Sequence, residues 1–438
     1  MRATMHRALV FVLLLGVAYA KFESYEGTSV YEFSVKNGAE AKLMQQLEKE
    51  LDLDIWAHPG PSRPGTVLVP KQMKGEFEYK LKFAGIQHKV QVDNIKEYME
   101  LEDKWLTSAR SQRANITAAG LSFDRVYTWE DIDQYLDVLG EAYPDTVTVV
   151  NGGSSVERRP MKYLKISTTN FQDKSKPVIY MQSLLHAREW ITQAASLYAI
   201  HRLVIDVTER DMRNDFDWII VPVANPDGFV HTHGISGTFR YWRKNRSTDY
   251  GLLCMGVDLN RNFDVIFGTG SSDNVCSDTF HGAGPFSEPE TQVIRDIIAE
   301  HKDRMELFLD IHSFGSWILY GYGNGTLPAN ALYTHLIGVQ MAQAIDAVKK
   351  SYNPDYVVGN TALMLYEASG SAADYAMSVG VPFSYTYELP GLRFDPGTLF
   401  GFLVDPAFIE QAGFETWEGI KVGARYARNS YRARKGLL

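Results

Sequence analysis

The chain has 438 residues, 45% of them hydrophobic and 22% charged, which is the balance of a globular protein with more than one domain. Its formal net charge is −9 and it has no long basic run, which argues against nucleic acid as a partner. No stretch is long and apolar enough to span a membrane, the apolar run near the start included.

The first twenty residues have the three parts of a secretory signal. Arg2 and Arg7 are positive, residues 8–17 are apolar, and Ala18-Tyr19-Ala20 is a small-x-small cleavage site. A cut after Ala20 and an extracellular protein are expected. Residues 21–110 then read as a unit of their own. The patterns predict a strand at 29–34, a helix at 39–51, strands at 53–56 and 67–69, a helix at 71–83 and a strand at 88–92. That order is ferredoxin-like. A further helical run, 94–106, leads out of it into 108–114, whose small polar residues and arginines suit an exposed linker. Cleavage there by a trypsin-like protease is expected at Arg110 or Arg113.

Residues 111–438 alternate helices with apolar strands. Strands are predicted at 146–151, 161–167, 177–185, 216–223, 307–311 and 383–387. Helices are predicted at 131–143, 190–207, 289–301, 333–352 and 406–430. This is an α/β pattern, giving a mixed, largely parallel central sheet with helices on both faces. Such sheets place their sites at the carboxyl ends of strands, where His186, His312 and Glu388 fall. The only cysteines, Cys254 and Cys276, read as a disulfide in an exported chain. Sequons occur at Asn115, Asn245 and Asn324.

His186 and Glu189, three residues apart after an apolar strand, can face one point. Imidazole and carboxylate are usual zinc donors, and a catalytic zinc takes three protein ligands and keeps one position open. His312 is the third candidate, and Asp258 the carboxylate expected to orient His186. Glu388, an acid at the end of an apolar strand, is the candidate general base and acid. Arginines in Phe239-Arg240-Tyr241-Trp242-Arg243-Lys244 and Asn260-Arg261-Asn262 suit a substrate with its own carboxylate. Tyr366 lies in a Gly/Ser loop that can cover the site.

On these residues the chain resembles the secreted zinc metallocarboxypeptidases of the pancreatic A/B type. The motifs that carry the resemblance include His186-Ala-Arg-Glu189-Trp190, Asn225-Pro-Asp-Gly228, Gly256-Val-Asp-Leu-Asn-Arg-Asn262, Ser287-Glu-Pro-Glu290, Ile311-His-Ser313, Tyr366-Glu-Ala-Ser-Gly370 and Tyr387-Glu388-Leu389. The resemblance implies one Zn2+ on His186, Glu189 and His312, with Glu388 and Arg243 catalytic. It implies that Asn260, Arg261 and Tyr366 hold the terminal carboxylate of a peptide or protein, and that Arg188 acts one residue upstream. It also implies a Cys254–Cys276 bridge and a monomer inhibited by its own propeptide until a protease removes it. In this family an acid deep in the side-chain pocket marks basic specificity. The matching position here is Ala373, with Gly323, Ala368, Ser371 and Thr386 nearby, so aromatic or aliphatic C-terminal residues are expected. Thr361 is smaller than the apolar residue common there. The loop after Leu389, Pro390-Gly-Leu-Arg-Phe-Asp-Pro-Gly397, is longer than the family's usual one.

Overall fold

The computed structural model describes residues 21–51, 53–59, 63–110, 116–251, 253–393 and 398–437. The expected signal segment, Arg113 and Asn115 lie outside the described residues.

The chain begins with β1 (Ser29–Ser34), α1 (Gly38–Glu50), β2 (Asp54–Ala57), β3 (Gly65–Val69), α2 (Lys74–Ala84) and β4 (Gln87–Val92). The four strands form an antiparallel sheet in the order β2-β3-β1-β4, the ferredoxin-like arrangement expected from the pattern. Asn37 starts α1 by accepting the N–H groups of Ala39 and Glu40. Phe33, Leu47, Val67, Phe77 and Leu81 fill the core between sheet and helices. α3 (Ile95–Arg110) follows and runs past residue 106, where the pattern ended it. No glycine or proline interrupts 107–110, and Ala109 and Arg110 are good helix formers. Residues 108–110 are therefore helix, not open linker.

The larger part contains α4 (Trp129–Ala142), β5 (Val147–Ser154), β6 (Pro160–Ile166), β7 (Val178–Ser183), α5 (Thr192–Val204), α6 (Arg210–Asn214), β8 (Asp217–Val221) and α7 (Pro226–Thr232). It continues with α8 (Pro289–His301), β9 (Met305–Ser313), β10 (Trp317–Tyr320), α9 (Ala331–Asp346), β11 (Val357–Asn360), α10 (Thr361–Met364), α11 (Ala372–Ser378), β12 (Phe383–Leu389) and α12 (Pro406–Arg434). Eight strands form one mixed sheet, β11-β10-β12-β9-β7-β8-β6-β5. Its centre is parallel: β12 with β9, β9 with β7, and β7 with β8.

Every residue of β7, β8 and β9 is buried, which is why their apolar residues fall on both faces rather than alternating with polar ones. Ile179, Met181, Trp218, Ile220, Leu307 and Leu309 face one core, against α4, α5, α9 and α12. Val178, Tyr180, Ile219, Val221 and Phe308 face the other, against α8 and α11. Each fully buried aliphatic or aromatic side chain contributes about 1.5–3 kcal/mol relative to exposure. Side chains alternate along a strand, so Asp310 and His312 share the face of Phe308. Thr386 and Glu388 lie opposite Tyr385 and Tyr387, which belong to the first core. The candidate chemistry thus lies on one face, at the carboxyl ends of three adjacent strands. Among the described residues no helix is long and apolar enough to cross a membrane.

Candidate metal centre and active site

β7 stops at Ser183, two residues earlier than the pattern suggested, because Leu184 turns the chain with φ 56°. A left-handed conformation is uncommon for leucine and persists only when its surroundings hold it. Here the Leu184 N–H donates to Thr192 Oγ1 (3.1 Å), whose hydroxyl donates to the Glu189 carbonyl (2.8 Å). Asn225 holds the other side: its side-chain amide donates to the carbonyls of Leu185 (3.2 Å) and Lys244 (3.1 Å). The Ala187 N–H donates to the Arg243 carbonyl at 3.0 Å. A Cβ on Gly228 would stand 2.4 Å from the Lys244 carbonyl oxygen. The Asn225-Pro-Asp-Gly228 motif is therefore a clamp that ties the His186 turn to the Arg243 segment.

The turn brings His186 and Glu189 to the end of β9. His186 Nδ1 lies 2.8 Å from Glu189 Oε1, and His312 Nδ1 lies 3.0 Å from Glu189 Oε2 and 3.0 Å from His186 Nδ1. All three residues are buried, and their donor atoms lie within 4.8 Å of one another. His186 Nε2 faces Asp258 Oδ1 at 3.0 Å. A ring that gives its Nε2 proton to Asp258 presents a bare lone pair at Nδ1. Two imidazole nitrogens and a carboxylate then converge with too few protons to satisfy them, and a cation with tetrahedral N/O preference resolves the conflict. Zinc fits this donor set. Burial alone would raise the Glu189 carboxyl, but the two imidazoles hold it well below the usual carboxylate range.

Asp258 links the cluster to Arg243. Its Oδ2 accepts from Arg243 Nε (3.1 Å) and Nη2 (2.9 Å), and its Oδ1 also accepts the Asn260 N–H (3.0 Å). Burial works against the Asp258 charge, yet Arg243 and His186 hold its carboxyl well below the usual range. Glu388 sits in register beside His312 across the β12–β9 pair. Burial pushes its carboxyl up to about 8, with Glu189 adding to the effect. A carboxyl poised near neutrality can both take and return a proton.

A cavity of about 1470 Å³, lined by His186, Glu189, Arg243 and Glu388, also reaches the expected substrate residues Asn260, Arg261 and Tyr366. Arg261 donates to the Tyr366 hydroxyl at 3.2 Å and to the Asn260 carbonyl at 2.9 Å, while its Nε is buried with no partner. Gly370, at φ 75°, lets the Tyr366 segment lie on Arg261, since a Cβ there would meet the Arg261 carbonyl at 2.5 Å. Thr361, Ala368, Ser371 and Thr386 line the cavity. Ala373 is buried behind its wall, not on it. Asp374, which the sequence reading left out, stands next to Ala373, and its Oδ2 accepts the Gly323 N–H at 2.6 Å. Burial raises Asp374 to about 6. Cys254 and Cys276 are bonded. Asn245 is buried and donates to Glu288 (2.7 Å) and Glu290 (3.1 Å), so its amide is not available to a glycan.

The ferredoxin-like unit covers the cavity, through contacts between residues far apart in the chain. Arg188 Nη1 donates to both carboxylate oxygens of Asp54, at 2.9 and 2.8 Å. The His58 ring lies 4.1 Å from the Tyr366 ring. Burial, with Arg261 and Arg243 nearby, pushes His58 down to about 4, so it is neutral. Glu102 on α3 pairs with buried Arg240 through two 2.9 Å bonds. The long loop after Leu389 belongs to this junction: Leu392, Phe400 and Phe402 pack with Trp56, and Phe400 lies 4.4 Å from Tyr98. Residues 394–397 of that loop lie outside the described residues.

A mixed eight-stranded sheet carrying a His/Glu/His cluster and an acid at its strand ends, with Arg243 and Arg261 on the neighbouring loops, is the framework of a zinc hydrolase. Known proteins agree. The zinc carboxypeptidase family model matches residues 132–419, and the carboxypeptidase activation peptide model matches residues 31–102. The chain is 46% identical to carboxypeptidase B of Helicoverpa zea, over 97% of this chain and 99% of that one. It is 32% identical to carboxypeptidase A2 of Rattus norvegicus over the same shares. Among solved structures, carboxypeptidase A from Helicoverpa armigera superposes with a TM-score of 0.88 at 61% identity, covering 92% of this chain and 98% of that one. The chain belongs to the zinc carboxypeptidase family and is a metallocarboxypeptidase precursor with an activation peptide.

Proposed function

We propose that this chain is a secreted exopeptidase zymogen that releases one apolar residue from the C-terminus of peptides. In this reading residues 1–20 are the signal, 21–110 the inhibitory propeptide and 111–438 the catalytic domain. His186, Glu189 and His312 hold the zinc ion, which when bound supplies Lewis-acid polarisation of the scissile carbonyl and of water. Arg261, Asn260 and Tyr366 grip the substrate's terminal carboxylate, the guanidinium fork matching its two oxygens. Arg243, fixed by Asp258, donates to the carbonyl oxygen as negative charge builds on it. Glu388 takes the proton of the attacking water and returns it to the leaving amine. The observation that supports the reading is one cavity lined by His186, Glu189, Arg243 and Glu388 together with Asn260, Arg261 and Tyr366.

The side-chain preference rests on the cavity lining. Asp374, the acid beside Ala373, is not among the residues that line the cavity, and its Oδ2 is turned to the Gly323 N–H, so a lysine or arginine side chain would find no acid there and bury an unpaired charge. Relatives named A and B occur alike, so their letters do not decide. Trypsin treatment of the purified precursor, followed by assay of peptides ending in Phe, Leu, Lys and Glu, tests the proposal. Phe and Leu should be released at least tenfold faster than Lys or Glu, a modest difference for pocket discrimination, and a zinc chelator should stop all release. Faster release of Lys would assign Asp374 to the pocket and overturn the preference.

The propeptide inhibits in this reading because Asp54 occupies Arg188 and His58 covers Tyr366. Breaking a desolvated charge pair costs about 2–5 kcal/mol of binding. The uncleaved Asp54→Asn precursor should therefore turn over a dipeptide substrate at least tenfold faster than the uncleaved wild type. Equal rates would show that Asp54 contributes nothing to inhibition.

A further inference from the structure

We propose that Asp310, held in place by Gln182, is the positioning carboxylate for His312, the counterpart of Asp258 on His186. The proposal rests on His312 being a zinc ligand. Asp310 is fully buried in the middle of the sheet. Its neighbours in register are Gln182 on β7 and Thr386 on β12, one row below His312 and Glu388. A buried carboxylate in a sheet core is costly unless something uses its charge, and among the described residues no lysine or arginine is paired with it.

The hydrogen bonds around it run in one direction. The Tyr180 hydroxyl donates to Gln182 Oε1 at 2.7 Å, which turns the Gln182 amide so that its Nε2 donates to Asp310 Oδ1 at 2.8 Å. Tyr180 is itself locked by stacking on Phe308, with centroids 4.6 Å apart. One oxygen of Asp310 is thus fixed. The other, Oδ2, has no aligned donor and lies 2.9 Å from His312 Nε2. A ring that offers Nδ1 to a metal must carry its proton on Nε2, and a carboxylate at that nitrogen is what stabilises this tautomer.

Asn260 competes for the same nitrogen. Its Oδ1 accepts the Ala372 N–H at 2.9 Å, so its Nδ2 is the atom that faces His312 Nε2, at 3.3 Å. An amide donating there would favour the opposite tautomer and pull the lone pair away from the metal. The carboxylate is closer, at 2.9 Å against 3.3 Å, and carries a full negative charge, which stabilises a proton on Nε2 electrostatically even where the contact is bent. Asp310 therefore sets the ring, and it leaves the Asn260 amide free to turn to a substrate.

The test uses the full chain carrying Asp310→Asn, which keeps shape and removes charge. Zinc affinity, read by competition with a chromogenic chelator, should weaken about 10- to 100-fold. The visible absorption of the cobalt-substituted protein should change, while the melting temperature of the zinc-free chain stays near wild type. Peptidase activity, measured after activation, should recover toward wild type when zinc is added in excess. Wild-type zinc affinity together with an unchanged cobalt spectrum would overturn the proposal. His312→Ala separates the two readings. If it loses zinc while Asp310→Asn does not, the ligand assignment stands and this proposal falls. If His312→Ala binds zinc as wild type does, both fall. Should Asp310→Asn fail to fold, Gln182→Met removes the donor that fixes Asp310 and should weaken zinc binding severalfold; unchanged affinity would overturn the proposal equally.

Discussion

In the trypsin-activated chain, Glu388→Gln is expected to lower kcat by about 10²–10⁴-fold while zinc content stays at one ion per chain. The substitution keeps the size of the side chain and its seat beside His312 in the β12–β9 pair. What it removes is an atom able to accept a proton from water. Burial raises the Glu388 carboxyl above its ordinary range in the zinc-free site and a bound cation would bring it back down, so the carboxylate can take a proton and return it to an amine in the same cycle. An amide can do neither. The loss corresponds to about 2.7–5.4 kcal/mol of transition-state stabilisation. It should appear in kcat rather than KM, because the groups expected to bind the substrate, Arg261, Asn260 and Tyr366, are untouched. Steady-state kinetics on a peptide ending in Phe, with metal analysis of the same sample, checks both halves. A variant with full activity would remove Glu388 from the chemistry. One that lost its zinc would give it a structural part instead.

The parts of this molecule legible in the sequence are those set by local pattern. The ferredoxin-like order was readable because its strands and helices differ in hydrophobic period, and α8 could be bounded because Pro289 opens it. The His186–Glu189 spacing was readable because it is one turn long. β10 (Trp317–Tyr320) and β11 (Val357–Asn360) were not found, since four residues are too few to tell a buried strand from a fragment of helix. α7 and α11, at seven residues each, are two turns long and too short to show a helical period, although Asn225 and Ser371 cap them. Asp310 shows the limit most clearly. Two residues before His312 on a predicted strand, it had to share that residue's face, so a D-x-H pattern was in view. Its meaning depends on Gln182, which lies 128 positions away and comes beside it only through strand register. Asp54 and Arg188 are likewise 134 positions apart. A contact between units leaves no periodic trace in either.

Arg243→Met carries the second large effect, an expected fall in kcat of about 10²–10³-fold, the size seen when one oxyanion donor is removed. The structure gives reason to expect a further, smaller consequence. Asp258 divides its oxygens between two tasks: Oδ1 receives His186 Nε2 and the Asn260 N–H, and Oδ2, among the described residues, receives Arg243 alone. Without the guanidinium, Oδ2 is buried and unpaired, and the main opposing charge that holds the Asp258 carboxyl low is gone. The Asp258 carboxyl then rises. A neutral Asp258 no longer stabilises the Nε2 proton on His186, so zinc affinity falls as Asp258 protonates. Because this group has its native pKa depressed, the loss appears on the acid side: zinc retention by Arg243→Met should fail at a higher pH than in wild type as the solution is acidified. Arg243→Lys, which restores charge but not the two-point contact, should recover retention more than rate. Chelator competition across a pH series, run beside kinetics at saturating zinc, separates the two roles. A methionine variant that kept its rate within about threefold would deny Arg243 the oxyanion role. One that held zinc like wild type at every pH would show that Asp258 serves His186 without help from Arg243.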